Sequence, residues 1–303
     1  MSLSLLKIPS LAVERVDNAY ICEARRFVAV TSPDQKLSLY SFQDWTAEPK
    51  LVREYKHHAG AILATAFAPL KYHAYFITVG YDKSLFLYNL DDSKQIEPLF
   101  AFTQENQEVG YFTAVTFVPV DKSRLVFAAG TSTGHVVVFD SQSNFEPKTH
   151  SLFTSSVKSI AGNSTGEIAV SAVGVSPKLV FDFDFENATE LPENGQNLAA
   201  TIQVKLSCSS DEQDSVKLIT ACEDQTVGVW EVEGSLRIAK HIQTVELNSN
   251  IISAHWNLGA FSLTAICGKR EDKLSDLKAF RVSRLSSADE SEWKAFPLDI
   301  KTD

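Results

Sequence analysis

Seven histidines, four cysteines and 38 carboxylates are the side chains of this chain best suited to chemistry, and their spacing decides which chemistry is open to them. A metal site gathers His, Cys or carboxylate donors onto one ion. His57 and His58 are adjacent, so on a strand or turn they project in different directions, and no third donor stands near them in sequence. One reads as a structural histidine and the other as a surface one. His255, beside Trp256 on an expected inner strand, reads as a satisfied core or edge residue. Cys22, Cys208, Cys222 and Cys267 fall on expected strands without Cys-x-x-Cys spacing, the pattern of small buried thiols in a reducing compartment. Gly-x-Ser-x-Gly matches at Gly130–Gly134 and Gly162–Gly166, but each falls in a turn between two expected strands and not at the strand-to-helix turn of a nucleophile elbow, and no glycine-rich phosphate loop occurs. The chain is therefore expected to carry no catalytic residue, no metal ligand and no cofactor site, and to take no small-molecule substrate. Two Asn-x-Ser/Thr sequons, at Asn163 and Asn187, read as chance matches in an intracellular protein.

The most unusual local feature is the run FDFDFEN at Phe181–Asn187. On a strand, alternation puts Phe181, Phe183 and Phe185 on one face and Asp182, Asp184 and Glu186 on the other. The plain account is a solvated strand face. The functional account is an acidic ridge for a basic partner segment, which makes Asp182, Asp184 and Glu186 candidate partner-binding residues. Asp91, Asp92, Asp211, Glu212 and Asp214 read as solvated loop charges.

The elements that must position these residues follow from bulk properties and from a repeat. The chain has 303 residues, 44% of them hydrophobic and 10% aromatic, enough for a core and unlike a disordered segment. Net charge is −10 and the pI is near 5.2. Its longest basic clusters are only Ala24–Arg26 and Gly268–Arg270, so direct binding to nucleic acid or to an anionic membrane surface is not expected. An acidic surface suits solubility or a basic protein partner. The N-terminal MSLSLLKIPSLAV is apolar but short, lacks a basic leader and contains Lys7 and Pro9, so it reads poorly as a signal peptide. No stretch approaches the apolar length of a membrane span. The expectation is an intracellular protein, cytoplasmic or nuclear or both, with protein partners.

Six β-branched segments end in an aromatic residue followed by a small, polar or charged one: Tyr40, Tyr88, Phe139, Phe183, Trp230 and Phe280, at spacings of 48, 51, 44, 47 and 50. A fixed period in this range with several short strands per period is the signature of a β-propeller, in which each unit is a small sheet that needs neighbours to bury its faces. The expected fold is all-β, a propeller of six, or seven, four-stranded blades, with residues 1–303 as one domain and 284–303 as a flexible or edge-strand tail. In the first five units the turn between second and third strands reads SPDQK, GYDKS, GTSTGH, GVSPK and CEDQT, compositions that supply positive φ or local side-chain hydrogen bonds.

These turns resemble the WD-repeat. An Asp stands six positions before the landmark aromatic in Asp34 with Tyr40, Asp82 with Tyr88 and Asp224 with Trp230. The resemblance implies that the turn Asp hydrogen-bonds an upstream His. His58 lies 24 residues before Asp82, at the place of the family's Gly-His element. Thr133, Pro177 and Leu274 stand where units three, four and six should carry Asp, and no unit has a full Gly-His with Trp-Asp. The blade number, the acidic charge and the texture of the last unit are also similar to the small open propellers of vesicle coats and the nuclear-pore coat.

Two segments compete to complete unit six: Leu3–Val13, restricted by Pro9 to an edge or bent strand, and Glu292–Ile300. The N-terminal one is expected to do so, with Trp293 covering the seam and available to a partner. The function expected is a non-catalytic protein-interaction scaffold, a subunit of a coat-like assembly. The alternatives are a chromatin-, ribosome-assembly- or ubiquitin-linked adaptor gripping a basic peptide and, more remotely, a propeller hydrolase.

Overall fold

Short runs of Val, Ile, Leu, Phe and Tyr separated by Asp, Gly and Ser turns fold into hairpins, and in this chain they do so six times over. The structure is a computed structural model. It describes residues 3–4, 18–22, 26–43, 49–68, 75–91, 96–120, 124–193, 197–207, 216–256, 262–268, 278–284, 293–298 and 300–301. Asp92, Cys208, Asp211, Glu212, Asp214 and Leu274 fall outside these residues, as do the side chains of Cys22, His255 and Trp256.

A short strand, β1 (Leu3–Ser4), precedes the repeats. Sheet one is β2 (Asn18–Cys22), β3 (Phe27–Thr31), β4 (Leu37–Ser41) and β5 (Lys50–Tyr55). Sheet two is β6 (Ile62–Phe67), β7 (Tyr75–Gly80), β8 (Ser84–Asn89) and β9 (Phe100–Thr103). Sheet three is β10 (Phe112–Phe117), β11 (Val126–Thr131), β12 (His135–Asp140) and β13 (Lys148–Ser151). Sheet four is β14 (Val157–Gly162), β15 (Ile168–Ala172), β16 (Val175–Val180) and β17 (Thr189–Glu190). Sheet five is β18 (Thr201–Leu206), β19 (Val216–Cys222), β20 (Thr226–Glu233) and β21 (Ile238–Glu246). Sheet six is β22 (Ile251–Trp256), β23 (Ser262–Cys267), β24 (Lys278–Arg284) and β25 (Trp293–Leu298), and β26 (Ile300–Lys301) follows. Each sheet is four-stranded, with its strands side by side in chain order and antiparallel wherever their register is resolved. No α-helix occurs among the described residues.

The chain divides into two compact units, Leu6–Ile160 and a second made of Met1–Leu5 with Ala161–Asp303. Within the first, one apolar cluster joins Leu37, Leu39 and Tyr55 of sheet one to Phe76 and Tyr88 of sheet two. Another joins Ile77 and Leu87 of sheet two to Phe127 and Phe139 of sheet three. Within the second, Leu179 and Phe181 pack with Leu218 and Trp230. A further cluster joins Val227 and Val229 of sheet five to Ala265, Val282 and Trp293 of sheet six. Within each unit the core thus lies between consecutive sheets. That is why middle strands such as β11, buried at every position, read as continuous apolar runs rather than alternating ones.

Four first strands share a defect. Leu63, Thr113, Ile202 and Ile252 are each an extra residue between two registers, a β-bulge one step from the strand's start. At Leu63 the carbonyl freed by the bulge accepts the Tyr20 hydroxyl at 3.2 Å.

Sheets four and six differ from the sequence reading. The unit-four hairpin turns at Val173–Gly174, because Ala172 pairs with Val175, so Pro177 lies within β16 and not in the turn. The strand then ends at Val180. Asp182 and Phe183 both take left-handed backbone angles, φ 52° and 58°, and Phe185–Asn187 is a 3-10 turn capped by the Asp184 carboxylate. The polar–apolar alternation of FDFDFEN is therefore used by a turn, and Phe181, 2% exposed, replaces Phe183 as the buried landmark of unit four. In unit six, Phe280 is half-buried and pairs with Ala265, while Val282, two residues along on the same face, is fully buried. The fourth strand of sheet six is Trp293–Leu298, so the C-terminal segment and not the N-terminal one completes it. Leu3–Ser4 pairs instead, in parallel, with Ile300–Lys301.

Candidate functional site

The residues able to do chemistry converge at one place, the turn between β7 and β8. His58 Nδ1 lies 3.0 Å from both carboxylate oxygens of Asp82, the pair expected from their 24-residue spacing. A carboxylate only accepts, so Nδ1 carries the imidazole proton and Nε2 is left as an acceptor. The Thr78 hydroxyl, 2.8 Å away, donates to it. Asp82 also accepts from the backbone N–H groups of Ala59 at 2.7 Å and Ser84 at 3.1 Å. Burial alone would raise the Asp82 carboxyl. The hydrogen bond from His58, with those two N–H groups, outweighs it and holds the carboxyl below its ordinary range. Gly80 closes the floor: a Cβ there would stand 2.6 Å from His58 Nδ1 and 2.7 Å from Asp82 Oδ1.

Carboxylate, imidazole and hydroxyl in this order are the arrangement of a nucleophilic triad. The surroundings use it otherwise. Thr78 is 1% exposed in the middle of β7, and the His58 ring packs edge-on against Phe86 at 4.7 Å, so no substrate carbonyl reaches the hydroxyl. The network continues inward to Tyr88, whose hydroxyl bonds Thr78 and lies 3.1 Å from His57 Nδ1; burial raises the Tyr88 pKa. Tyr88 in turn stacks on Phe76 at 4.7 Å. The other side of the His57 ring faces Glu97 at 3.5 Å.

The other units repeat parts of this network. In unit five the Trp230 indole N–H donates to the Thr220 hydroxyl at 3.1 Å, and Asp224 accepts from the Thr226 N–H at 3.1 Å and the Asn197 N–H at 3.3 Å. Where Thr133 replaces Asp in unit three, its hydroxyl donates to the Val109 carbonyl at 2.7 Å, again 24 residues upstream. In unit one, Asp34 accepts the Ser32 hydroxyl, and this bond holds its carboxyl low. Tyr40 is 7% exposed. Thr78 and Thr220 were not singled out in the sequence, although each stands ten residues before a landmark aromatic that bears a polar hydrogen. Phe139, which has none, carries Ala129 at that offset.

The proposed acidic ridge is not one face. Asp184 and Asp182 both bind Arg237, at 2.5 and 3.4 Å, and Asp184 is held low by Arg237 and Asn187. Among the described residues, Glu186 alone of the three is left exposed without an ion pair. Gly234, beside this Arg237 turn, admits Glu167 so closely that a Cβ would meet its Oε1 at 2.4 Å. Trp293 is 3% exposed, and its backbone N–H and C=O bond the Gln243 side-chain amide at 2.7 and 2.8 Å. It is therefore a buried core residue of sheet six. Cys222 and Cys267 are buried free thiols, each raised to about 11 by burial. Among the described residues no group of three or more His, Cys, Asp or Glu gathers for an ion, and no helix is long and apolar enough to cross a membrane. In comparison with known proteins, no family model matches the chain and no curated protein matches it in sequence.

Proposed function

We propose that the six sheets are blades of a β-propeller built from degenerate WD-type repeats, and that the protein is a non-catalytic interaction scaffold within a multiprotein assembly. The blade reading is supported by one four-stranded meander per repeat and by apolar clusters that lie between consecutive sheets. The observation that carries the functional reading is the saturation of the Asp82–His58–Thr78 network. Both ring nitrogens and the carboxylate are spent on holding a turn, so the side chains best suited to proton transfer serve architecture.

The test is purification of the tagged chain from its native cells at physiological salt, followed by sizing and identification of co-eluting chains. A stoichiometric assembly that survives His58→Ala in reduced yield supports a scaffold. A monomer that hydrolyses model esters, with activity abolished by Thr78→Val, overturns it.

A further inference from the structure

The end of sheets two and three presents an aromatic pair that the fold does not use. Tyr81, in the β7–β8 turn, is 60% exposed, and its ring lies 4.6 Å from that of Tyr111 at an angle of 47°. Single exposed apolar residues are ordinary. Here the support beneath the pair is built. The segment 104–111 is bonded to both flanking turns: the Gln104 N–H to the Lys83 carbonyl at 2.9 Å, the Ser132 N–H to the Tyr111 carbonyl at 2.8 Å, and the Thr133 hydroxyl to the Val109 carbonyl at 2.7 Å. Asn106 and Gln104 side chains accept from Glu108 and Asn106 N–H groups within it. Its hydrogen bonding is thus directed inward, and the side chains of Glu105 and Glu108 stand exposed without an ion pair among the described residues. The one cation of the adjoining turn, Lys83, is bound to Gln107 at 2.6 Å. Asp82 is committed to His58.

We infer that Tyr81 and Tyr111, with the exposed Glu105 and Glu108 of the segment that carries Tyr111, form a docking surface for an arginine- or lysine-bearing segment of a protein partner. This rests on the scaffold reading and names its chemistry. An aromatic face attracts a cation through its quadrupole, and two exposed carboxylates of the same segment, in no ion pair among the described residues, add field of the same sense. A chain of net charge −10 favours such a partner at long range and disfavours nucleic acid, the other occupant that would stack on tyrosines. A braced loop on two sheet ends gives the surface little ordering entropy to lose on binding.

The probe is a short arginine-rich peptide, with a citrulline counterpart of the same length that keeps shape and removes charge. Calorimetric titration of the full chain at physiological salt should show binding of the first and not the second. Tyr81→Ala should weaken binding about three- to fivefold, the range for one exposed cation–aromatic contact. Tyr81→Phe should stay within about twofold, and Glu108→Gln should weaken binding and flatten its salt dependence. Because Tyr81 is exposed, an unchanged thermal melt of each variant separates loss of docking from loss of fold. Equal affinity of wild type and Tyr81→Ala would show only diffuse attraction to an acidic chain and would overturn the inference. So would no binding of the arginine peptide, or preference for a single-stranded oligonucleotide. Peptide binding that depends on Tyr81 in a chain that purifies from its cells as a monomer would sink the scaffold reading alone, whereas a stable native assembly with no Tyr81-dependent peptide binding would sink this inference alone.

Discussion

Asp82 gathers four hydrogen-bond contacts onto one short side chain, and its charge is what makes them strong. Because its folded carboxyl is held below the ordinary range, the ionised form favours the fold. That contribution is complete above the unfolded carboxylate value of about 4 and is lost as pH falls through the lower folded value. Asp82→Asn should therefore be less stable than wild type by about 1–3 kcal/mol at neutral pH. The gap should narrow below about pH 4. Urea midpoints across that range check it, and a gap independent of pH would contradict the charge argument. Trp230 is a second residue on which much depends, since its ring is fully buried among residues of sheets four and five. Trp230→Ala should cost about 3–5 kcal/mol, seen as a large drop in thermal midpoint. At this scale the sequence was legible where a residue type has one good use, as with His58 and Asp82. It was not legible at Asp182 and Asp184, whose common partner Arg237 stands more than 50 positions away, so that local alternation could not reveal the turn it anchors.

Hairpins are the elements that the sequence shows best, because β-branched runs and Asp/Gly turns are local signals. Fourth strands are the least visible: β17 has two residues and β21 has nine, and both are set by what the third strand offers rather than by their own composition. The strand β25 illustrates the point. It carries Pro297 on an edge, where no ladder N–H is needed, and is fixed at its other end by the Gln243 amide, a contact between outer strands of sheets five and six. Deleting residues 286–303 should therefore lower the melting temperature more than deleting residues 1–15, the reverse of what the terminal sequences suggest. Gln243→Ala should cost about 1 kcal/mol. Equal melts for the two truncations would remove Trp293 from its role in the core.

On the scale of the whole chain, the period of about 48 residues made six repeats readable before any strand was placed, because every unit needs one large buried side chain at the same register. The register slipped by two residues in units four and six: in unit four the chain turns at Asp182–Phe183 and leaves Phe181 as the buried aromatic, and in unit six Phe280 and Val282 share a face and only packing distinguishes them. Net charge is the other property of the entire molecule. With −10 and no basic stripe, anisotropy of labelled duplex or single-stranded oligonucleotide should show no binding at physiological salt. A steep salt-dependent affinity would refute this.

The parallel pairing of Leu3–Ser4 with Ile300–Lys301 has a consequence in time rather than in space. It joins segments separated by nearly the full chain and gains only two residues of ladder. A contact of such sequence separation forms late and, being so short, opens without disturbing the sheets. Amides of this pair should exchange with solvent orders of magnitude faster than those of the β19–β20 hairpin, so that hydrogen exchange would find the two ends of the chain parting many times within one lifetime of the folded state.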